Sequence, residues 1–316
     1  MRAISQDVLG GPEVLKQVEL ERPVPGPTEV LVRVRAAGVN PTDWKHRATG
    51  GLLGRTPFVL GWDVSGVVES VALGTTLHKP GDEVFGMLPY PYGHGAFAEY
   101  VTAPARTFAR KPGNIDHVQA AALPLAALTA WQALVDTARV GTGHRVLIHA
   151  AAGGVGHLAV QIAKARGAYV IGTASAAKHD FLRGLGADEL VDYRGVDFAE
   201  AVGDVDAVID TMGGEYGPRS LRTVRRGGVI VSLVLSRLAD GLGARAAELG
   251  IRSEPMLVEP DHAAMKAIAA LVEAGRLRVA IDTVLPLERA AEAHELGEKG
   301  HTTGKIVLTV EPPVGG

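Results

Sequence analysis

The residues Ala151, Gly153, Gly154 and Gly156 stand between an apolar run, Arg145-Val146-Leu147-Ile148-His149-Ala150, and a stripe of Val155, Leu158, Ala159 and Ile162. The run has the character of a buried strand. The i, i+3, i+4, i+7 spacing after it is that of a helix packed on a sheet, and Gly167 stands where such a helix would end. A turn almost without side chains lets a large anion approach free backbone N–H groups, with the positive end of the helix dipole facing it. The chemistry this suits is pyrophosphate binding, with Gly153, Gly154, Val155 and Gly156 as the cradle. The usual pattern is Gly-x-Gly-x-x-Gly; here Ala151 replaces its first glycine. A plain structural turn is the competing reading.

A second strand is expected at 169–174. An NAD-selective site commonly ends that strand with an acid, roughly twenty residues after the glycines, which accepts from the ribose 2′-OH. This chain offers Ser175-Ala176-Ala177-Lys178 instead. A hydroxyl and an ammonium receive a 2′-phosphate without repulsion, so NADPH is the expected dinucleotide. Lys178 also reads as a solvated lysine on a helix face.

These groups need a frame to hold them. At 316 residues the chain exceeds the size at which single cores usually stop growing, so two domains are expected. A net charge of -3 without a basic run gives no reason to expect nucleic acid. The residues from Met1 to Asp7 lack the apolar core of a signal peptide, and the greasy stretch 120–131 is too short to span a bilayer. No membrane association is expected, and a cytoplasmic location is. With 0 cysteines, disulfides, thiolate zinc sites and cysteine nucleophiles are all absent. The 11 histidines form no His-x-x-x-His pair, and no spacing proposes a metal site.

Residues 1–118 read as mostly β, with alternation at 30–34, a strand at 63–71, and turns at Pro25-Gly26-Pro27, Lys79-Pro80-Gly81-Asp82 and Lys111-Pro112-Gly113-Asn114. From 119 to 260 helices and strands alternate, with strands at 145–150, 169–174, 189–191, 205–210, 228–234 and 251–257. That rhythm predicts an α/β fold with a doubly wound parallel sheet. Residues 261–316 return to a helix, a strand at 279–285, a helix at 287–298 and a strand at 305–310. The tail 311–316 reads as loose.

Several segments in this order resemble the zinc-independent quinone oxidoreductase type of the medium-chain dehydrogenase/reductase family. They are Ala37-Gly38-Val39-Asn40-Pro41-Thr42-Asp43-Trp44-Lys45, Pro57 to Gly66, Gly95-Ala96-Phe97-Ala98-Glu99-Tyr100, the 150–156 loop, Asp210-Thr211-Met212-Gly213-Gly214 and Thr303-Gly304-Lys305-Ile306-Val307-Leu308. The resemblance covers essentially the whole chain. It implies a GroES-like β-barrel catalytic domain built from the first and last parts, with a Rossmann domain inserted and substrate bound in the cleft over the nicotinamide. Zinc-containing relatives carry a ligand cysteine after Gly-Val and a histidine in Gly-His-Glu; here Asn40 and Trp62 stand at those positions.

By the same resemblance, Ser175, Lys178 and Tyr193 would surround the 2′-phosphate and adenine, an ordinary surface tyrosine being the competing reading of Tyr193. Thr129 would bond the nicotinamide carboxamide, or else its own helix backbone. Asn40, Asp43 and Lys45 would line the cleft, with Asn40 and Lys45 the candidate catalytic groups. Asp43 reads equally as a cap for a helix starting at Trp44. Ser232, Leu233 and Val234 would end the fifth strand beside the ligand. Lys305 would also reach the cofactor, although a lysine opening an edge strand is commonly just solvated.

The implied activity is metal-free hydride transfer from NADPH to quinones or α,β-unsaturated carbonyls. Enoyl-thioester reductases of the superfamily place a tyrosine shortly after the Asn-Pro-x-Asp segment. The matching region, 47–53, has none. Tyr90, Tyr92 and His94 are the loop alternatives as proton donors, and aromatic packing around two prolines is the other reading of that loop. An NADPH-binding sensor without catalysis is the remaining alternative. The segment 251–258 reads as the last strand of its sheet, an exposed edge that implies a homodimer.

Overall fold

The computed structural model of the chain describes residues 1–52, 54, 56, 58–92 and 95–310. His94 and the tail 311–316 lie outside the described residues. The chain divides into two compact units, one of 1–128, 259–275 and 279–316, the other of 129–258 and 276–278.

The second unit is built on one parallel sheet. Its strands lie in the order Glu189–Asp192, Tyr169–Ala174, Arg145–Ile148, Val205–Asp210, Val224–Ser232, Arg252–Pro255. Strands of this kind are buried on both faces and read as nearly continuous apolar runs. Leu147, Ile171, Val208 and Ile230 accordingly share one core with Phe198 and Leu242 from the covering segments. The order reverses at the central Arg145–Ile148 strand, and ligands of such sheets bind beyond the strand carboxyl ends. The fifth strand starts earlier than expected, at Val224, and ends at Ser232, so Leu233 and Val234 lie just past it.

The first unit is β-rich and carries two sheets among the described residues. The larger runs Ile281–Pro286, Lys305–Thr309, Glu29–Val39, Asp63–Val71, Glu83–Met87, Phe108–Arg110, and Tyr100–Pro104 pairs with Glu29–Val39. The smaller runs Lys16–Glu19, Arg2–Gln6, Phe58–Val59. A bridge from Ala3 to Ala98 and a bond from Ile4 N–H to Phe97 O at 2.8 Å join them. Lys305–Thr309 is therefore no edge: it is hydrogen-bonded to Ile281–Pro286 on one side and Glu29–Val39 on the other. Residues 119–128 belong to this β-rich unit, because the His117–Ala121 helix packs on its strands and puts Ala121 and Ala122 against Ala36 and Val307.

Candidate active site

In the parallel sheet, the loop after Arg145–Ile148 carries its tightest geometry on Ala150, whose φ of 45° is in the left-handed region. Ala151 N–H donates to Thr173 O at 2.9 Å, and Gly153 N–H to Ala150 O at 2.9 Å, which curls the chain toward the Gly156–Ala165 helix. The first amides of a helix lack intrahelical acceptors; here His157 N–H is taken by Gly153 O at 3.1 Å and Leu158 N–H by Val155 O at 3.2 Å, so the donors that this turn offers an anion are those of Gly154, Val155 and Gly156. A Cβ on Gly156 would fall 2.4 Å from Ala150 O, so only glycine lets strand and helix approach this closely. The methyl of Ala151 is accommodated from across the sheet, since a Cβ on Gly172 would lie 2.9 Å from it. Glycine has been removed at one position and supplied at its neighbour.

His149 ties this loop down from beneath. It is fully buried, with Nε2 bonded to Ser220 Oγ at 2.9 Å and Nδ1 near Thr173 Oγ1 at 3.3 Å. Its carbonyl accepts from Thr211 Oγ1 at 2.7 Å. Burial, helped by the Arg219 charge, lowers its pKa to about 3, so the ring is a neutral pin. The next turn is fastened likewise: Asp210 Oδ1 accepts from Met212 and Gly213 N–H, each at 2.9 Å.

Ser175 and Tyr193 each follow the paired residues Ala174 and Asp192, so adjacent strand ends present them side by side. Ser175 is buried, Lys178 is half-buried in the short helix Ala176–Lys178, and Tyr193 is exposed. Arg194, which sequence reasoning passed over, holds its guanidinium 5.9 Å from the Tyr193 ring centroid. Ser232 Oγ is buried and has no hydrogen-bond partner among the described residues. An orphaned hydroxyl at a strand carboxyl end, in line with the glycine loop, fits a bound dinucleotide. Thr129 is buried in the Pro124–Trp131 helix.

In the β-rich unit, Asn40, Asp43 and Lys305 come together with Asp63, which sequence reasoning missed. Asn40 is the N-cap of the Pro41–Thr49 helix, so Asp43 is not a cap for a helix starting at Trp44; it sits one turn in. Its Oδ2 accepts from Asn40 N–H at 2.6 Å and its Oδ1 from Gly61 N–H at 3.1 Å. Asn40 Nδ2 donates to Asp63 Oδ2 at 2.8 Å, and Asn40 Oδ1 accepts from Lys305 Nζ. Lys305 Nζ also donates to Val39 O at 2.9 Å and lies 3.6 Å from Asp63 Oδ2. Asp63 Oδ1 accepts from Leu125 N–H at 2.6 Å.

All four side chains are buried, and Lys305 is 3% exposed, not a solvated strand lysine. Burial pushes the Asp43 carboxyl up to about 8, against the two amides that favour its ionised form. Burial also raises Asp63 and lowers Lys305, while their mutual attraction opposes both shifts. An ionised Asp63 opposite Lys305, with Asp43 protonated, leaves the cluster neutral. The signal for Asp63 was legible: a carboxylate inside the apolar run 62–68 demands a buried partner. Gly38 makes room for it, since a Cβ there would lie 2.7 Å from Asp63 Oδ2.

The cluster fixes the Asn40 amide. Lys305 can only donate and an ionised Asp63 can only accept, so the amide has one orientation. The second Nδ2 hydrogen then remains as a donor. Lys45 lies on the exposed face of the same helix. Tyr90 packs edge-on to Trp62, with centroids 5.2 Å apart. Tyr92 is exposed.

Comparison with known proteins completes the assignment. Residues 26–113 match the alcohol dehydrogenase GroES-like domain, and residues 185–308 the zinc-binding dehydrogenase model. A relative named NAD(P)H oxidoreductase RTN4IP1, mitochondrial, from Homo sapiens is 33% identical, covering 90% of this chain and 82% of its own. The structure of the quinone oxidoreductase from Coxiella burnetii is 38% identical, with a TM-score of 0.93 over 98% of this chain and 99% of that one. That of Escherichia coli quinone oxidoreductase complexed with NADPH is 29% identical, with a TM-score of 0.89 over 98% and 100%. The chain belongs to the quinone oxidoreductase type of the medium-chain dehydrogenase/reductase family, and it is an NAD(P)H-dependent oxidoreductase.

Proposed function

We propose that this protein reduces quinones or conjugated enones with NADPH, without a metal ion. The observation that carries this reading is the fixed Asn40 amide. Where zinc-containing relatives hold a ligand cysteine, this chain places an amide whose oxygen is occupied by Lys305. Trp62, at the histidine position, is buried and offers only an N–H. The residues do not fit zinc, whatever the name of the matching model, and among the described residues no group of three or more His, Asp or Glu could hold a metal ion. Alcohol oxidation needs a group that steadies an alkoxide, which a Lewis acid supplies. A quinone or enone needs less, because its reduced form is a delocalised anion.

The glycine loop fits the pyrophosphate, the orphaned Ser232 hydroxyl fits a polar group of the cofactor, and Ser175, Lys178 and Tyr193 favour a 2′-phosphate. When bound, the dihydronicotinamide supplies the hydride. Asn40 Nδ2–H is then a preorganised donor for a carbonyl oxygen, held in place before charge develops there. The test uses NADPH deuterated at the transferred position and an enone acceptor. Deuterium on the β-carbon of the product supports conjugate reduction; deuterium on the carbonyl carbon identifies a ketone reductase and defeats the reading.

A further inference from the structure

A chain of hydrogen bonds beside Asn40 has its direction fixed from one end. The Leu52 N–H can only donate, and it does so to His46 Nε2 at 3.3 Å. Burial lowers the His46 pKa, so the ring is neutral near pH 7 and carries its hydrogen on Nδ1. That N–H faces two oxygens of Thr42, the carbonyl at 2.8 Å and Oγ1 at 3.0 Å. A protonated Nδ1 cannot accept from Thr42, so the Thr42 hydroxyl hydrogen goes to its other neighbour, the Tyr90 hydroxyl oxygen, at 3.1 Å. Tyr90 therefore accepts from Thr42, and its own O–H is left over as a donor with no acceptor among the described residues.

The ring that carries this hydroxyl is held on two sides. It stands edge-on to Trp62, at 76°, and to His46, at 5.8 Å and 79°. Thr42 lies two residues after Asn40, and Trp62 directly precedes Asp63, the Asn40 partner. The spare O–H is thus anchored through the same helix and strand that hold the Asn40 amide. Tyr92 has no such anchorage among the described residues and is 73% exposed.

We propose that Tyr90 is a substrate-binding residue that donates its hydroxyl hydrogen to the acceptor oxygen, with His46 and Thr42 as the positioning residues that set its direction. The proposal rests on the quinone or enone reading above. As hydride reaches carbon, the π electron pair moves toward oxygen, and the Tyr90 hydrogen bond steadies that charge. Burial raises the Tyr90 pKa, so the group keeps its proton and acts by hydrogen bonding. The proton that completes the product comes from solvent.

Tyr90→Phe keeps the ring packing and removes only the donor. We expect kcat/KM for 1,4-benzoquinone and 2-cyclohexenone to fall roughly ten- to hundredfold, with the Kd for NADPH unchanged by fluorescence titration. Thr42→Val should cause a smaller loss of the same kind, and Thr42→Ser should restore the wild-type rate. Binding of 4-nitrophenolate, an oxyanion probe read by its absorbance with NADP⁺ present, should weaken in parallel in Tyr90→Phe. Wild-type rates and wild-type 4-nitrophenolate affinity in Tyr90→Phe overturn the proposal, as does an equal loss of NADPH binding. If the wild-type protein reduces neither acceptor, the reduction reading fails by itself; 4-nitrophenolate then decides, weaker binding in Tyr90→Phe supporting the donor and equal binding refuting it.

Discussion

We propose that Lys178 is the residue on which cofactor choice turns. It follows the strand end where an NAD-selective protein would carry an acid, three residues after the buried Ser175, which lies beside the exposed Tyr193. A charge-assisted bond from it to a 2′-phosphate would be screened by solvent on one side, which limits its worth. Lys178→Ala should weaken NADPH about tenfold and leave NADH nearly unchanged, measured by fluorescence titration of both. Equal losses would show that the lysine serves the fold. At this scale the sequence was informative about which residues matter and poor about what they do. Asn40 and Lys305 stood out by resemblance, but no pattern along the chain says that they bond to each other, because they are joined only when the Lys305–Thr309 strand pairs with Glu29–Val39. Thr42 and His46 escaped notice for the same reason: their roles exist only in the contacts, whereas Asp63 was betrayed by the apolar run around it.

Elements were more legible than contacts, because periodicity is a local property. The six strands of the parallel sheet were each anticipated within a few residues. The division at 118 was not reproduced, since the alanine-rich stretch after it looks like the start of an α/β domain yet packs on the β-rich unit. The loss of the first glycine in the glycine loop could not be understood from the loop alone. Its compensation is Gly172, on the neighbouring strand. Gly172→Ala should therefore crowd Ala151 and Leu190, costing about 1–3 kcal/mol and loosening NADPH binding. The double variant Gly172→Ala, Ala151→Gly should recover most of the melting temperature. A double variant no more stable than the single one would place the cause elsewhere.

For the whole molecule, we propose a homodimer. Among the described residues Arg252–Pro255 pairs with Val224–Ser232 on one side only, leaving a row of backbone groups at the sheet edge. Such an edge is a template for a second copy related by a two-fold axis. Sedimentation at micromolar concentration should give twice the mass of 33.0 kDa; a monomer at every concentration would refute the pairing.

The place of Lys305–Thr309 in its sheet has a consequence for how the protein is made. The second unit is nearly continuous in sequence, so its parallel sheet can close once residue 255 has left the ribosome. The β-rich unit is begun first and finished last. Until residues 305–309 emerge, the Glu29–Val39 strand has a bare flank along 36–39, and the buried carboxylate of Asp63 has no cation opposite it. One late strand thus both closes the sheet and brings the cation to Asp63, so neither can be completed before the last residues of that strand are made.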